Sequence, residues 1–347
     1  MTFINPRSKL LQHVDRVAML KMGHKPPPVN IEIDLSNRCS LGCEWCHFAH
    51  THTRGPLASK RTVDAGDLMD TKLAFSIIDQ LQRYGVRSLV WSGGGEPTLH
   101  PDFDHLVNAV NIPQGLYTNG GHIDEHRARI LKYRAQWVYV SLDAATGDEY
   151  AQAKGVTPEH FERALAGIRA LVGANGAATV GVGFLLNDHN WTRVERMAEL
   201  GRELGADYVQ FRPTIRYKAD APNEVEGNTN WIPGAISLLE TMRYSGTEVD
   251  LTRFDMLREW SEHGYQQCWW SGLQTVVTPN GKVWSCLNKR GYEGAELGDL
   301  NDETFRSIWQ RAPIQPVNGS CRVMCRGHIP NLELNAIMAD RVHGEFI

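Results

Sequence analysis

Apolar residues recur along this chain in short, β-rich runs, each followed by a stretch with helical spacing. The runs are NIEIDL from Asn30, SLVWSG from Ser88, GLYTNG from Gly115, WVYVSLD from Trp137, TVGVGFLL from Thr179 and YVQFRP from Tyr208. Helical periodicity fills the intervals, as in TKLAFSIIDQLQRYG from Thr71 and EHFERALAGIRALVGANG from Glu159, and both segments stop near glycine. Strand alternating with helix predicts an α/β fold whose parallel sheet is joined by helical crossovers, either a partial or closed barrel or an open doubly wound sheet. In each case chemistry collects at the C-terminal ends of the strands. The polar residues follow that rule: three cysteines come after the first run, GGGEP after the second, TNG after the third and SLD after the fourth.

The pattern weakens near Ile215, and KADAPNEVEGNTNWIPG reads as a loop. Further on, LQTVV and KVWSC flank Thr-Pro-Asn-Gly, a hairpin signal that opens a second, smaller unit. The chain therefore divides into an N-terminal helical extension (1–29), a β/α core (30–215), a linker with a helical segment (216–263), a small cysteine-bearing unit (264–335) and a tail (336–347).

Composition narrows the function classes. The 347 residues carry a formal net charge of -4, so no basic excess points to nucleic acid. The charged N-terminus lacks a signal-peptide core and no stretch reaches transmembrane length, so a cytoplasmic, membrane-free protein is expected. There is no G-x-S-x-G elbow, HExxH or phosphate-binding P-loop to support a hydrolase. Seven cysteines fit a disulfide framework poorly but divide into three plus four.

Cys39, Cys43 and Cys46 fall within eight residues, and Gly42 allows a tight bend between them. A closed structural metal site needs four ligands. Zinc completed by His47, His50 or His52 is one reading, with the histidines more readily taken as loop residues. An iron–sulfur cluster is the favoured one, because an unpaired CxxxCxxC at the active end of a β/α unit suits a cluster with one open iron. The remaining cysteines, Cys268, Cys286, Cys321 and Cys325, suit a closed four-thiolate site, either a second cluster or structural zinc.

CxxxCxΦC, with Trp45 before the last cysteine, resembles the signature of the radical S-adenosylmethionine (SAM) superfamily. The resemblance implies a partial (β/α)6 TIM-like barrel and a [4Fe-4S] cluster on Cys39, Cys43 and Cys46. It also implies reductive cleavage of SAM to a 5′-deoxyadenosyl radical that abstracts hydrogen from an unactivated C–H bond. Gly94, Gly95 and Glu96 resemble the family's GGE motif, where glycine admits close backbone approach and Glu96 can take the methionyl ammonium. Ser141 and Asp143 resemble the ribose-binding position, although Ser141 reads equally well as a helix cap. Asn187, Gln210 and Arg212 are weaker candidates for SAM or substrate contacts. Trp45 is placed beside the adenine, with core packing as the plain alternative.

Cys268, then Gly281-x4-Cys286, ELGDL, FRSIW and Cys321-x3-Cys325 resemble the SPASM or twitch extension, a small β-hairpin/α unit. Four cysteines imply one auxiliary [4Fe-4S] cluster. Three plus four leaves no thiol to quench a substrate radical, which disfavours epimerisation and favours oxidation or rearrangement. The expected partners are a one-electron donor such as flavodoxin or ferredoxin and a small polar metabolite or nucleotide-type substrate. About thirty residues before the first strand are few for a peptide-recognition domain, so modification of a ribosomally made peptide is the alternative. A zinc-stabilised, non-catalytic binding protein is the alternative of another class. Arg212, Arg216, Lys218, Lys289 and Arg290 could meet an anionic substrate, with a solvated basic surface as the favoured plain reading. Trp269 and Trp270 could stack on a sugar or base, with hairpin packing favoured.

Overall fold

A computed structural model describes residues 9–43, 45–46, 67–214, 228–244 and 263–318, with short stretches at 216–217, 225–226, 249–250, 254, 321 and 325–339. His47, His50, His52 and Lys218 lie outside the described residues, and Arg216 is described in its backbone alone.

The six predicted runs form six strands: β1 (Asn30–Asp34), β2 (Ser88–Ser92), β3 (Gln114–Thr118), β4 (Trp137–Ser141), β5 (Thr179–Leu186) and β6 (Tyr208–Pro213). They pair in chain order and in parallel. The helices between them are α2 (Thr71–Tyr84), α3 (Phe103–Ala109), α4 (Glu125–Arg134), α5 (Gly147–Lys154), α6 (Glu159–Gly173) and α7 (Val194–Glu203), after an N-terminal α1 (Val14–Lys21). Local chemistry sets their ends. Asp70 accepts from Leu73 N–H to start α2, and Gly85 closes it at φ 86°, a left-handed turn that glycine adopts without strain.

Side chains alternate across each strand. Ile31, Ile33, Leu116, Val138, Val140, Val182, Phe184 and Phe211 join the helices in one continuous buried core. The opposite face carries Glu32, Asp34, Tyr117, Tyr139, Gln210 and Arg212. The fold is thus a partial β/α barrel with a dry outer layer and a polar inner face.

The predicted hairpin forms from β7 (Gln274–Val277) and β8 (Lys282–Trp284), with Gly281 at φ 85° in the turn. It does not make a separate sheet. β7 runs parallel to β1, pairing Asn30 with Gln274 through Ile33 with Val277, so one ten-stranded sheet spans both cysteine sets. β9 (Glu296–Asp299) extends it antiparallel to β8. α8 (Trp231–Tyr244) lies in the linker, α9 (Phe305–Arg311) packs near α2, and α10 (His328–Met338) ends the described chain. No described helix is long and apolar enough to cross a membrane.

Candidate active site and its two cysteine sets

The loop leaving β1 is held from three sides. Gly95 N–H donates to Ser36 O (2.9 Å) and Glu96 N–H to Arg38 O (2.8 Å), tying the loop to the turn after β2. Ser40 Oγ meets His122 Nε2 (3.1 Å), from the turn after β3. Gly42 N–H donates to Lys154 O (2.6 Å), at the end of α5. Cys39 and Cys43 are half-buried against the core, and Cys46 and Trp45 are half-buried in the closing turn.

Glycine serves this loop-to-loop contact. A Cβ on Gly95 would lie 2.1 Å from Arg38 O, and one on Gly155 would lie 2.8 Å from Gly42 O. The close approach expected between GGE and a ligand is therefore, at Gly95, an approach to the cysteine loop itself. Gly94 is buried.

Glu96 is buried and largely occupied by its own chain. Its Oε1 accepts from Thr98 N–H (3.2 Å), Thr98 Oγ1 (2.6 Å) and Thr118 Oγ1 (2.7 Å). Its Oε2 accepts from Asn119 N–H (2.7 Å) and keeps a lone pair. The carboxylate clasps the turns after β2 and β3 together.

Asp143 is the one non-glycine at positive φ among the described residues, at 65°. Its Oδ1 accepts from Leu185 N–H (2.8 Å) and its Oδ2 is ion-paired with Lys154 Nζ, both partners buried. The carboxylate expected for ribose is thus engaged by the β5 backbone and by Lys154. Among the described residues, nothing engages the hydroxyl of Ser141, which is half-buried on the inner face. Asn187 Oδ1 accepts from His189 and Asn190 N–H (2.8 and 3.1 Å), so its carbonyl shapes its own turn. Arg212 lies with its guanidinium 4.2 Å from the Tyr139 ring centroid and donates from Nε to Gln210 Oε1 (2.5 Å). A Cβ on Gly183 would collide with the Tyr139 hydroxyl, so this glycine makes room for the ring.

Lys154 escaped the sequence reading. A lysine before glycine at a helix end looks like an ordinary surface cap, yet this one is buried beside the first thiol set. Burial raises the Cys43 pKa, and the Lys154 charge is the largest influence opposing that rise. Burial, then the Glu96 charge, pushes Cys39 up to about 12. Both thiols must lose their protons to bind metal.

The second set is built from three segments distant in sequence. Cys268 ends a two-residue strand paired with Gln315–Pro316, Cys286 follows β8, and Cys321 and Cys325 precede α10. Burial and the neighbouring charges of Cys286 and Cys268 push Cys325 up to about 12, so the thiols lie within reach of one another's fields. Three sulfurs accept N–H donors: Cys286 from Asn288 N–H (3.4 Å), Cys325 from Gly327 N–H (3.3 Å) and Cys268 from Asn331 Nδ2 (3.2 Å). Such donors favour thiolate ligands of an iron–sulfur cluster. Among the described residues, no three His, Cys, Asp or Glu side chains converge closely enough to hold a single metal ion.

Arg290 corrects the expectation of an exposed or anion-binding cation. It is buried, with Nη1 2.6 Å from both Asp34 oxygens and Nη2 2.8 Å from Glu32 Oε2. Arg326, next to Cys325, reaches Glu32 Oε1 at 2.7 Å. Both arginines flank the second cysteine set and grip the strand that delivers the first. Trp269 and Trp270 pack not on the hairpin but against a small apolar cluster around Leu20, Leu273 and Leu334.

A parallel β/α barrel with one thiol set at its active end and another carried by the segments around an attached hairpin has the layout of a two-cluster iron–sulfur enzyme. The chain matches the Radical SAM superfamily over residues 33–201 and the SPASM iron–sulfur cluster-binding domain over residues 268–328. It is a radical SAM enzyme with a SPASM-type C-terminal domain, and its cofactors are SAM, the SAM-binding [4Fe-4S] cluster and an auxiliary cluster. It is 26% identical over 299 residues to the PqqA peptide cyclase of Gluconobacter oxydans (strain 621H), covering 83% of this chain and 78% of that one. It is 27% identical over 302 residues to the mycofactocin maturase MftC of Mycobacterium ulcerans (strain Agy99), covering 83% and 76%. Among solved structures, Streptococcus suis SuiB bound to precursor peptide SuiA shares the fold, with a TM-score of 0.65 at 16% identity over 90% of this chain and 71% of that one.

Proposed function

We propose that this enzyme modifies a peptide by radical chemistry. The observation that carries the reading is the span of the similarity: 83% of the chain aligns with a peptide cyclase and with a maturase. The small polar metabolite or nucleotide substrate expected from the sequence gives way to the peptide alternative on this ground. Cys39, Cys43 and Cys46 would hold a [4Fe-4S] cluster, which together with SAM would supply the one-electron chemistry needed to remove a hydrogen from an unactivated C–H bond of the substrate.

The chain's own residues prepare that site. Glu96 holds the turns after β2 and β3 in register and offers its remaining Oε2 lone pair to the methionyl ammonium. Ser141 offers a hydroxyl for the ribose, the contact that Asp143 is too engaged to make alone. Asp143 and Lys154 fix a cation beside Cys43. Trp45 flanks the adenine, and Asn187 sets the turn that closes this side. Arg212, cradled by Tyr139 and Tyr117 on the inner face, faces the substrate side. Cys268, Cys286, Cys321 and Cys325 hold the auxiliary cluster. An external one-electron donor completes the system.

The test is anaerobic incubation of reconstituted enzyme with SAM, a reductant and the short peptides encoded beside its gene, followed by mass spectrometry. A peptide mass change that tracks 5′-deoxyadenosine formation is expected. Abundant 5′-deoxyadenosine with every such peptide unchanged would count against a peptide substrate.

A further inference from the structure

We propose that Asn331 is a positioning residue for the auxiliary cluster: its side-chain amide donates a hydrogen bond to the Cys268 sulfur and thereby raises the cluster's reduction potential. The proposal rests on the reading that Cys268, Cys286, Cys321 and Cys325 are the cluster's ligands.

Asn331 sits in the first turn of α10, 1% exposed, six residues after Cys325. Its Nδ2 lies 3.2 Å from Cys268 Sγ. Which end of an amide faces a partner is decided by its hydrogen bonds. Here the decision is unambiguous, because Oδ1 accepts from Trp270 N–H at 2.8 Å. Flipping the amide would set NH2 against that N–H and a carbonyl oxygen against sulfur. The backbone is equally fixed: Asn331 N–H donates to Gly327 O (2.9 Å), and its carbonyl accepts from Asn335 Nδ2 (2.7 Å). The donor is thus immobilised and aimed.

Its contact differs from the other two N–H···S bonds, which come from backbone amides close to their own cysteines. Those bonds follow from any local turn of that shape. The Asn331 bond spans 63 residues and depends on one side chain. A donor to a ligand sulfur stabilises the more electron-rich, reduced cluster and so raises its potential. This makes the cluster a readier acceptor of an electron.

The test uses the full-length chain carrying Cys39→Ala, Cys43→Ala and Cys46→Ala, so that only the second site binds iron. In that background Asn331→Leu is expected to lower the midpoint in an EPR-monitored redox titration. Asn335→Leu, one turn further on, removes comparable bonds without touching sulfur and is expected to leave the midpoint in place. Asparagine labelled with 15N at its side-chain amide, incorporated into the same background, is expected to give a 15N hyperfine coupling to the reduced cluster. With Asn318→Asp added to remove the other side-chain amide beside a ligand sulfur, that coupling decides the matter if Asn331→Leu fails to load. An unmoved midpoint in a loaded Asn331→Leu chain, equal shifts in both leucine variants, or no 15N coupling would overturn the proposal. Absence of iron from the triple-cysteine background would instead overturn the ligand assignment beneath it.

Discussion

Lys154 shows how much one buried side chain can organise. Its ammonium neutralises Asp143, its carbonyl holds Gly42, and its charge reaches Cys43. Replacing it with methionine leaves a buried carboxylate uncompensated. Lys154→Met is expected to lose roughly 3–5 kcal/mol of stability, read by denaturant unfolding of the iron-free chain. The double variant Asp143→Asn/Lys154→Met should recover a good part of that loss. An unchanged midpoint in the single variant would show that the pair is not the anchor its geometry indicates. At this scale the sequence was legible where chemistry is local: three cysteines within eight residues, or Asn-Gly between β-like runs. Lys154 and Asn331 were not legible, because each acquires its meaning from a neighbour brought there by the fold.

Among the elements, the strands announced themselves through their apolar runs, and all six core strands lie where the pattern placed them. Their connections carried less information. Nothing in KADAPNEVEG or in the hairpin signal reveals that β7 pairs beside β1, since a strand's composition states that it pairs but not with which partner. The turn after β2 was legible in kind but not in use. Its glycines admit the cysteine loop, and that contact can be tested by adding a single methyl group. Gly95→Ala places a Cβ 2.1 Å from Arg38 O, so loop or turn must shift. Iron content after reconstitution is expected to fall from about eight to about four per chain, the second site remaining filled. Retention of all iron together with full SAM binding would show that the loop tolerates displacement.

Across the whole molecule, buried Glu32, Asp34 and Arg290, with the partly exposed Arg326, form an ionic bridge between the strand that delivers the first cysteine set and the loops that carry the second. Ion pairs of this kind fix geometry more than they stabilise. Burial raises the Asp34 pKa to about 6, outweighing the nearby Arg290 charge. The folded chain therefore keeps a proton on Asp34 that the unfolded chain has already lost near pH 4. From this group alone, stability falls as pH rises from about 4 to about 6, then levels. The stability difference between the parent and Asp34→Asn should shrink across that window, at about 1.4 kcal/mol per unit of pKa shift. A difference independent of pH would place the Asp34 proton elsewhere. No sequence pattern joins Asp34 to Arg290 across 256 positions, so the bridge was beyond reach before the fold was known.

We propose that Cys39, Cys43 and Cys46 hold a cluster with one iron left open to SAM. The most direct measurement is the EPR spectrum of the reduced, fully reconstituted chain before and after SAM is added, with 5′-deoxyadenosine assayed in parallel. SAM is expected to perturb the signal, 5′-deoxyadenosine to form, and Cys43→Ala to abolish both. An iron-replete chain whose spectrum ignores SAM and which yields no 5′-deoxyadenosine would contradict it.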